Sequence, residues 1–482
     1  MKRLVILGGG ESGAGTAILA KQKGFEVFLS DKNKIADKYK VLLQQHNIEF
    51  EEGQHTEEKI LNADEIMKSP GIPEKVELIK KIREKGIHVI SEIEFAARYS
   101  GNAKLIGITG SNGKSTTTTL IHHILVKAGY KAALVGNIGN SFALEVANGG
   151  WDYYVIEISN FQLDDIHEFR PDVALLLNLS EDHLDRYNYE YQKYIDSKFR
   201  ITMNQNENDV FIYCADDERI LEEIKKRNKN LILNPSPTER DLNSPKGNVG
   251  DVPLSEGEGL GVRSIKAKTI PYSITKELNE GAYIKDNHLT ITINQKQLFT
   301  MSIYELALQG KHNQQNSLAA GIAANVVEVR NEVVRESLSD FNALEHRMEF
   351  VATVRGIDFV NDSKATNINS TWYALESATK PVIWIAGGLD KGNDYTVLQS
   401  LVKEKVKAIV CLGKDNRKIH EAFARYVDMI ANTQTAEEAV LMAYQLGEQG
   451  DVCLLSPACA SFDLFENYMD RGTQFKSAVK SL

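Results

Sequence analysis

Short aliphatic runs ending in glycine, serine or aspartate recur along the chain, each followed by a mixed stretch with helical spacing. They are RLVILGGG (3–10), AKLIGITG (103–110), DYYVIEIS (152–159), DVALLLNLS (172–180), PVIWIAGG (381–388), KAIVCLG (407–413) and DVCLLSP (451–457). Unbroken Val/Ile/Leu runs suit strands covered on both faces, and their alternation with helical segments predicts parallel sheets in an α/β fold. Ligands of such sheets bind beyond the carboxyl ends of the strands, where these glycines lie.

The pattern breaks in two places and so predicts three domains: residues 1–100, ending where YSGNAK separates a glutamate-rich helix from a new strand; 101–342; and 343–482, opening on EHRMEFV. Within the second block, Asn234 to Pro271 holds five of the ten prolines and reads as an irregular surface excursion, followed by antiparallel strands such as HLTITINQ. A chain of 482 residues is itself too long for one core.

Composition narrows the function classes. Apolar residues at 42% and charged residues at 25% are those of a folded globular protein. A net charge of −10 speaks against nucleic-acid or acidic-membrane partners, while leaving a small anionic substrate open. MKRLVILGGG reads as a buried strand rather than a signal peptide, and no apolar run approaches the ~18 residues of a membrane span. Cys214, Cys411, Cys453 and Cys459 lack zinc-type spacing and are expected to be reduced structural thiols of a cytoplasmic protein.

Two glycine-rich turns carry candidate chemistry. Gly8–Gly13 fits G-x-G-x-x-G between a strand and a helix, and Asp31 closes the next strand, where a ribose-binding acid would sit. A nicotinamide site, another diphosphate site and a merely structural turn all fit this motif, because backbone approach and a helix N-terminus hold any diphosphate. Thr109-Gly110-Ser111-Asn112-Gly113-Lys114-Ser115 follows a strand and opens a helix, as a P-loop does, although Ile108 stands where the strict motif has glycine. There the backbone N–H groups would face phosphate, Lys114 would reach the terminal phosphates and Ser115 would meet Mg²⁺. Glu157 and His183 end neighbouring strand-like runs and are candidate metal-shell residues, with an orienting hydrogen bond equally open for His183. His122 and His123, two turns into the helix, read as packing or solvent residues.

Taken in order, GITGSNGKST, GNIGNS (136–141), IEISNFQL (156–163), NLSEDHLDRY (178–187), Lys198 of YIDSKFRI, GKHNQQN (310–316), EHRMEF (345–350) and NDSKATN (361–367) resemble the Mur ligase family of peptidoglycan precursor synthesis. ISNFQL, DSKATN and SPACASFDLF (456–465) resemble its D-glutamate-adding branch, and no DNPR-like signature of the diaminopimelate branch is present. The resemblance implies an α/β protein of three domains: Rossmann-like, P-loop ATPase with a mostly parallel sheet, and Rossmann-like again. It implies a cytoplasmic ATP-dependent ligase that forms an acyl phosphate on UDP-N-acetylmuramoyl-L-alanine and joins D-glutamate to it, working with two Mg²⁺ ions and closing its domains on ligand binding; the sequence leaves the oligomeric state open, with a monomer as the default. Gly10, Glu11, Ser12, Asp31, Ser69, Asn137 and His183 would hold the UDP-substrate. Gly110, Ser111, Asn112, Gly113, Lys114, Ser115, Thr116, Asn313, Asn316, Arg347 and Asp362 would hold ATP. Ser115 and Glu157 would hold one metal and His183 the other, joined by Lys198 if CO₂ converts it to a carbamate; Lys114, Glu157, His183 and Lys198 form the catalytic set. Lys364, Thr366, Lys391, Ser461 and Tyr468 would hold D-glutamate, with Tyr468 departing from the phenylalanine expected there.

Three rival readings remain. The same chemistry on another amino acid or on a folylpolyglutamate-type acceptor is disfavoured, in the folate case, by the leading Rossmann-like block. An NAD-dependent oxidoreductase leaves residues 105–200 unexplained. A non-catalytic ATP-binding regulator would not need Lys114, Glu157, His183 and Lys198 together.

Overall fold

The computed structural model describes residues 1–182, 184–233, 264–341, 345–390 and 392–482. Two compact units emerge, one of Met1–Gln309 with Asn313–Asp340 and the other of Gly310–His312 with Phe341–Leu482. The first unit holds two sheets and the second holds one, so the fold is three α/β domains with mostly parallel strands.

The first sheet is wholly parallel. Arg3–Leu7 lies at its centre, flanked by Glu26–Asp31 and then Glu49–Glu52 on one side, and by Glu65–Lys68 and then His88–Ile90 on the other. Leu4 to Leu7 are buried on both faces, as their unbroken apolar run requires. The glycine-rich turn after this strand opens the helix Glu11–Gln22.

In the central sheet, Lys104–Thr109 runs between Tyr153–Glu157 and Val173–Leu176, and Ala132–Gly136 closes that edge. The parallel order continues outward through Val210–Cys214, Lys268–Ser273 and Gly281–Lys285, and ends in the antiparallel strands His288–Ile293 and Lys296–Ser302. This shortens the irregular excursion expected over 234–271. Residues 234–263 lie outside the described residues, but Lys268–Ser273, Pro271 included, is an ordered strand in register with Val210–Cys214. Gly281–Lys285 pairs only with Tyr272 and Ser273, so Pro271 sits where that neighbour makes no demand on its missing N–H.

The two sheets of this unit are joined by buried charge as well as apolar packing. Ser91 caps the helix Glu92–Ala97 by accepting the Glu94 N–H at 3.2 Å, and its own N–H donates to the Asp165 carbonyl at 2.9 Å. The fully buried Glu94 carboxylate accepts the backbone N–H groups of His167, Glu168 and Phe169 at 2.9, 3.0 and 2.9 Å. Nearby, Lys68 and Arg83 both pair with the buried Asp165, at 3.0 and 2.6 Å, and with Glu74.

The third sheet places Val452–Leu455 between Ile357–Asn361 and Val382–Ala386, continues through Val406–Leu412 to Met429–Thr433, and carries Glu349–Val354 as its one antiparallel edge. Its core is built around Trp384, whose indole N–H donates to the Ser456 carbonyl at 2.7 Å. All four cysteines are buried and free, and burial pushes the thiols of Cys214, Cys411 and Cys459 up to about 12, 12 and 11. No helix among the described residues is long and apolar enough to cross a membrane.

Candidate active site

The phosphate-type loop is built from its flanks inward. Ile108, the residue that breaks the strict motif, is a fully buried strand residue in register with Glu157 and Leu175, so the turn starts only after Thr109. Gly110 and Gly113 lie at φ 150° and 82°, and Gly113 caps the helix Lys114–Lys127 in the left-handed region. The segment after Val173–Leu176 braces the loop. Asn178 accepts the Asn112 N–H through Oδ1 at 2.8 Å and donates back to the Asn112 carbonyl at 3.0 Å. The Ser111 hydroxyl bonds with the Ser180 carbonyl at 2.9 Å and with the Tyr194 hydroxyl at 2.7 Å. Ser115 and Thr116 stand in the first helical turn, Ser115 buried and Thr116 partly exposed. Asn316 packs against the same turn: its Oδ1 accepts the Thr117 hydroxyl at 3.2 Å, and a Cβ on Gly113 would overlap it. Asn313 accepts from the Asn316 amide at 3.3 Å, so both asparagines of GKHNQQN meet the loop side of the sheet.

Two lysines converge on one carbonyl. Lys114 Nζ donates to Gly110 O at 2.8 Å and to Ser111 O at 2.9 Å, while Lys198 Nζ donates to the same Gly110 O at 3.0 Å. Lys198 is 1% exposed and lies over the Tyr194 ring. Burial, with the neighbouring charge of Lys114, holds its amine well below the ordinary lysine range.

Glu157 ends its strand buried at 1% exposure. Its Oε1 accepts the Asn137 amide at 2.8 Å, whereas Oε2 has no hydrogen-bond partner. A buried carboxylate oxygen left open is costly unless a ligand completes it. Gly136, at φ 102°, lets the Asn137 loop close on this strand, since a Cβ there would overlap the Glu157 carbonyl.

At the first sheet, Gly9 N–H donates to Asp31 Oδ2 at 2.6 Å and Asn33 N–H to Oδ1 at 2.8 Å. Asp31 therefore orders the glycine-rich turn itself. Gly10 and Glu11 begin the helix, Ser12 follows in its first turn, and Ser69 packs directly on Gly8. Arg186 reaches this region from the central sheet, donating to the Pro70 carbonyl at 2.7 Å from above the Phe161 ring.

In the second unit the carboxyl ends of Ile357–Asn361 and Val452–Leu455 carry the remaining candidates. Asp362 is buried, accepts the Ser456 hydroxyl at 2.9 Å and the Met348 N–H at 3.3 Å, and burial raises its carboxyl to about 7 despite the Arg347 charge. The folded chain then keeps a proton that the unfolded chain loses near pH 4, so stability of this unit should fall as pH rises towards 7 and level off above it. Asp362→Asn is expected to remove that slope, which chemical denaturation at a series of pH values would reveal; an unchanged slope would assign it to other groups. Lys364 Nζ donates to the Tyr468 hydroxyl at 3.2 Å and lies over its ring, so the departure from phenylalanine supplies a direct partner for the lysine. Thr366 follows in the same loop, its N–H donating to the Lys364 carbonyl at 2.8 Å, and Ser461 is buried after the last strand. His183 and Lys391 lie outside the described residues.

The profile of the MurD N-terminal domain matches residues 3–78, that of the Mur ligase middle domain 108–245, and that of the Mur ligase glutamate ligase domain 346–459. The UDP-N-acetylmuramoylalanine–D-glutamate ligase of Christiangramia forsetii is 50% identical over 100% of both chains. The chain belongs to the Mur ligase family. The like-named protein of Bacteroides fragilis is 51% identical, again over 100% of both. Among solved structures, the UDP-N-acetylmuramate–alanine ligase of Thermotoga maritima shares the fold at a TM-score of 0.60 and 14% identity, over 100% of each chain.

Several residues of this Mur ligase site escaped the motif reading. Asn178 and Ser180 lie inside NLSEDHLDRY, but a run of polar residues does not reveal which one turns back onto the phosphate loop. Tyr194 sits one helical turn before Lys198, a spacing that does place both on one face. Arg471 is 1% exposed and donates to the carbonyls of Ser363 and Cys459, at 2.8 and 3.3 Å, fixing the two loops that carry Lys364 and Ser461. Its signal was an arginine on the apolar face of the last helix, beside a glycine that lets His346 pack closely.

Proposed function

We propose that this chain is an ATP-dependent ligase that joins D-glutamate to UDP-N-acetylmuramoyl-L-alanine in peptidoglycan precursor synthesis. Its end-to-end likeness to chains named as that ligase carries the reading. In this reading residues 1–100 hold the uridine diphosphate at the Gly8–Gly13 turn, 101–342 hold ATP, and 343–482 hold the amino acid. Its substrates, ATP and a nucleotide sugar, make the cytoplasm its place of work.

The chemistry has to overcome a poor electrophile. A carboxylate oxygen of the alanyl group attacks the γ-phosphorus, the bond to ADP breaks, and a mixed anhydride results. The D-glutamate amine then attacks the acyl carbon, phosphate leaves with the electron pair of the C–O bond, and the amine loses a proton as the amide forms. Two anions must meet in the first step, and Lys114, fixed across the mouth of the loop, supplies a cation there. The backbone N–H groups at the start of Lys114–Lys127 face the same phosphates. Ser115 and Glu157, with its open Oε2, fit a hard cation, and a bound Mg²⁺ would supply charge neutralisation at the β- and γ-phosphates. Asn137 orients Glu157 for that duty.

A carbamate on Lys198 fits the same site. Its amine is buried against Lys114 and shifted towards the neutral form, the form that adds to CO₂ with loss of one proton. The product is an anion where two lysines otherwise crowd one carbonyl, and with His183 it would make a second hard-cation site. In the third domain Lys364 meets a substrate carboxylate, steadied by the Tyr468 hydroxyl, and the family resemblance assigns Thr366, Ser461 and Lys391 to the same ligand.

Phosphate release from ATP, measured with each component omitted in turn, tests this directly. Turnover is expected to require both the UDP-sugar and D-glutamate, with L-glutamate, L-lysine and meso-diaminopimelate inactive. Preference for another amino acid would overturn the assignment of the third domain.

A further inference from the structure

The joint between the glycine-rich helix and the central sheet contains an acid that the mechanism does not use. Glu92 is 1% exposed, and no lysine, arginine or histidine pairs with it among the described residues. Its Oε1 accepts the Ser141 hydroxyl at 2.6 Å and the Ala143 N–H at 3.1 Å. The Ser12 hydroxyl acts on the same carboxyl group, while Oε2 ends without a partner of hydrogen-bond geometry. Burial raises this carboxyl above the usual range, as expected where no counter-ion offsets the cost of a buried charge. The neutral acid can accept through one oxygen and donate through the other.

What Glu92 touches gives it a role. Ser12 stands in the first turn of Glu11–Gln22, beyond the glycine-rich turn. Ser141 caps the helix Phe142–Asn148 by accepting the Leu144 N–H at 3.1 Å, and it is the residue on which Gly15 rests, since a Cβ on Gly15 would overlap the Ser141 hydroxyl. From Ser141 the chain runs back through a tight loop to Asn137. In that loop the Asn140 N–H donates to Leu134 O at 3.1 Å, and the Asn137 N–H to Glu157 O at 2.9 Å. One buried carboxyl thus bridges the helix that opens at the glycine-rich turn and the loop that carries Asn137.

We propose that Glu92 is a positioning residue for the nucleoside diphosphate part of the substrate, acting through Ser12 and Ser141 to set the first turn of Glu11–Gln22 against the Asn137 loop. The inference rests on the reading that the Gly8–Gly13 turn holds a uridine diphosphate. A purely structural brace would weaken every ligand alike when lost, whereas a positioning residue weakens one.

The test compares Glu92→Ala, Glu92→Gln and Ser141→Ala with the unaltered protein. The measurements are UDP binding by calorimetry, steady-state constants for each substrate, and thermal unfolding. Glu92→Ala and Ser141→Ala are expected to weaken UDP binding and raise the KM for the UDP-sugar by about tenfold, the worth of one well-placed buried hydrogen bond. The KM for D-glutamate should stay within about twofold, and any rise in the KM for ATP or fall in kcat, carried through Asn137 to Glu157, should be several-fold smaller than the loss of UDP binding. Glu92→Gln, neutral and nearly isosteric, should restore UDP binding to within about threefold of the original. Equal losses for UDP and ATP, or a Gln variant as weak as the Ala variant, would overturn the role. Should Glu92→Ala not fold, Ser141→Ala and Glu92→Gln still decide it. Unaltered protein that binds no UDP would overturn the reading beneath the inference, while UDP binding that ignores both alanine variants would overturn the inference alone.

Discussion

Lys198→Met should lower kcat by about a thousandfold or more, the scale of losing a group aimed at charge in the transition state. Methionine is close to lysine in length and carries no charge, so it refills the buried space beside Tyr194 and leaves the helix Tyr191–Phe199 in place. Thermal unfolding should therefore change little while turnover collapses. Lys198→Arg separates the two roles open to this residue. Guanidinium keeps the positive charge but does not form a stable carbamate, so a loss as deep as that of Lys198→Met would favour the carbamate. Retention of activity within about tenfold would instead leave Lys198 as a phosphate-side cation, the weaker demand on geometry. ¹³C-bicarbonate labelling followed by NMR gives an independent readout, with a carbamate carbon expected in the unaltered protein and absent from Lys198→Met.

Glu94→Ala should be the most damaging single change to stability in the first unit. Its carboxylate is fully buried and accepts three consecutive backbone N–H groups, from His167, Glu168 and Phe169. Truncation strands the buried Phe169 N–H, strips the part-buried His167 and Glu168 N–H groups of their acceptor and leaves a void, at about 1–3 kcal/mol per unsatisfied buried group. A loss of about 3 kcal/mol is expected, since the part-buried N–H groups can turn to water. Denaturant unfolding should show the midpoint shift, and hydrogen exchange should show amides 167–169 exposed first. Glu94→Gln tests the cause, because its amide oxygen can replace Oε2, which accepts all three N–H groups, while its NH₂ would replace Oε1 and face the Arg98 guanidinium. A Gln variant as stable as the original would show that a neutral oxygen suffices and that the charge and its Arg98 contact add nothing, whereas an alanine variant as stable as the original would overturn the prediction.

The strands were the most legible part of this protein. A run such as VILGGG or VIWIAGG has to be buried on both faces, and its glycine marks the carboxyl end where ligands gather. The turn at residues 109–115 was legible for the same reason: it depends on Gly110 and Gly113, residues whose backbone angles other side chains rarely adopt. What a linear reading could not supply was reciprocity between distant segments. The spacing of Asp31 suggests a ribose ligand but not that its carboxylate also accepts the N–H of Gly9, in the glycine-rich turn of another strand, and of Asn33 beside it. Asn178 and Arg471 bind backbone groups of loops far away in sequence, and backbone groups leave no mark on composition. Pro271 misled in the opposite direction, because a proline-rich stretch hides a strand whose neighbour does not use the missing N–H.

The burial of all four thiols has a practical consequence. With none at the surface and their acidity suppressed, maleimide reagents should pass over the native protein at neutral pH. A single cysteine introduced at an exposed position such as Lys32 or Glu421 would then be the sole labelling point. Pairs of such cysteines would let fluorescence energy transfer report distances in solution without first replacing any residue of the core.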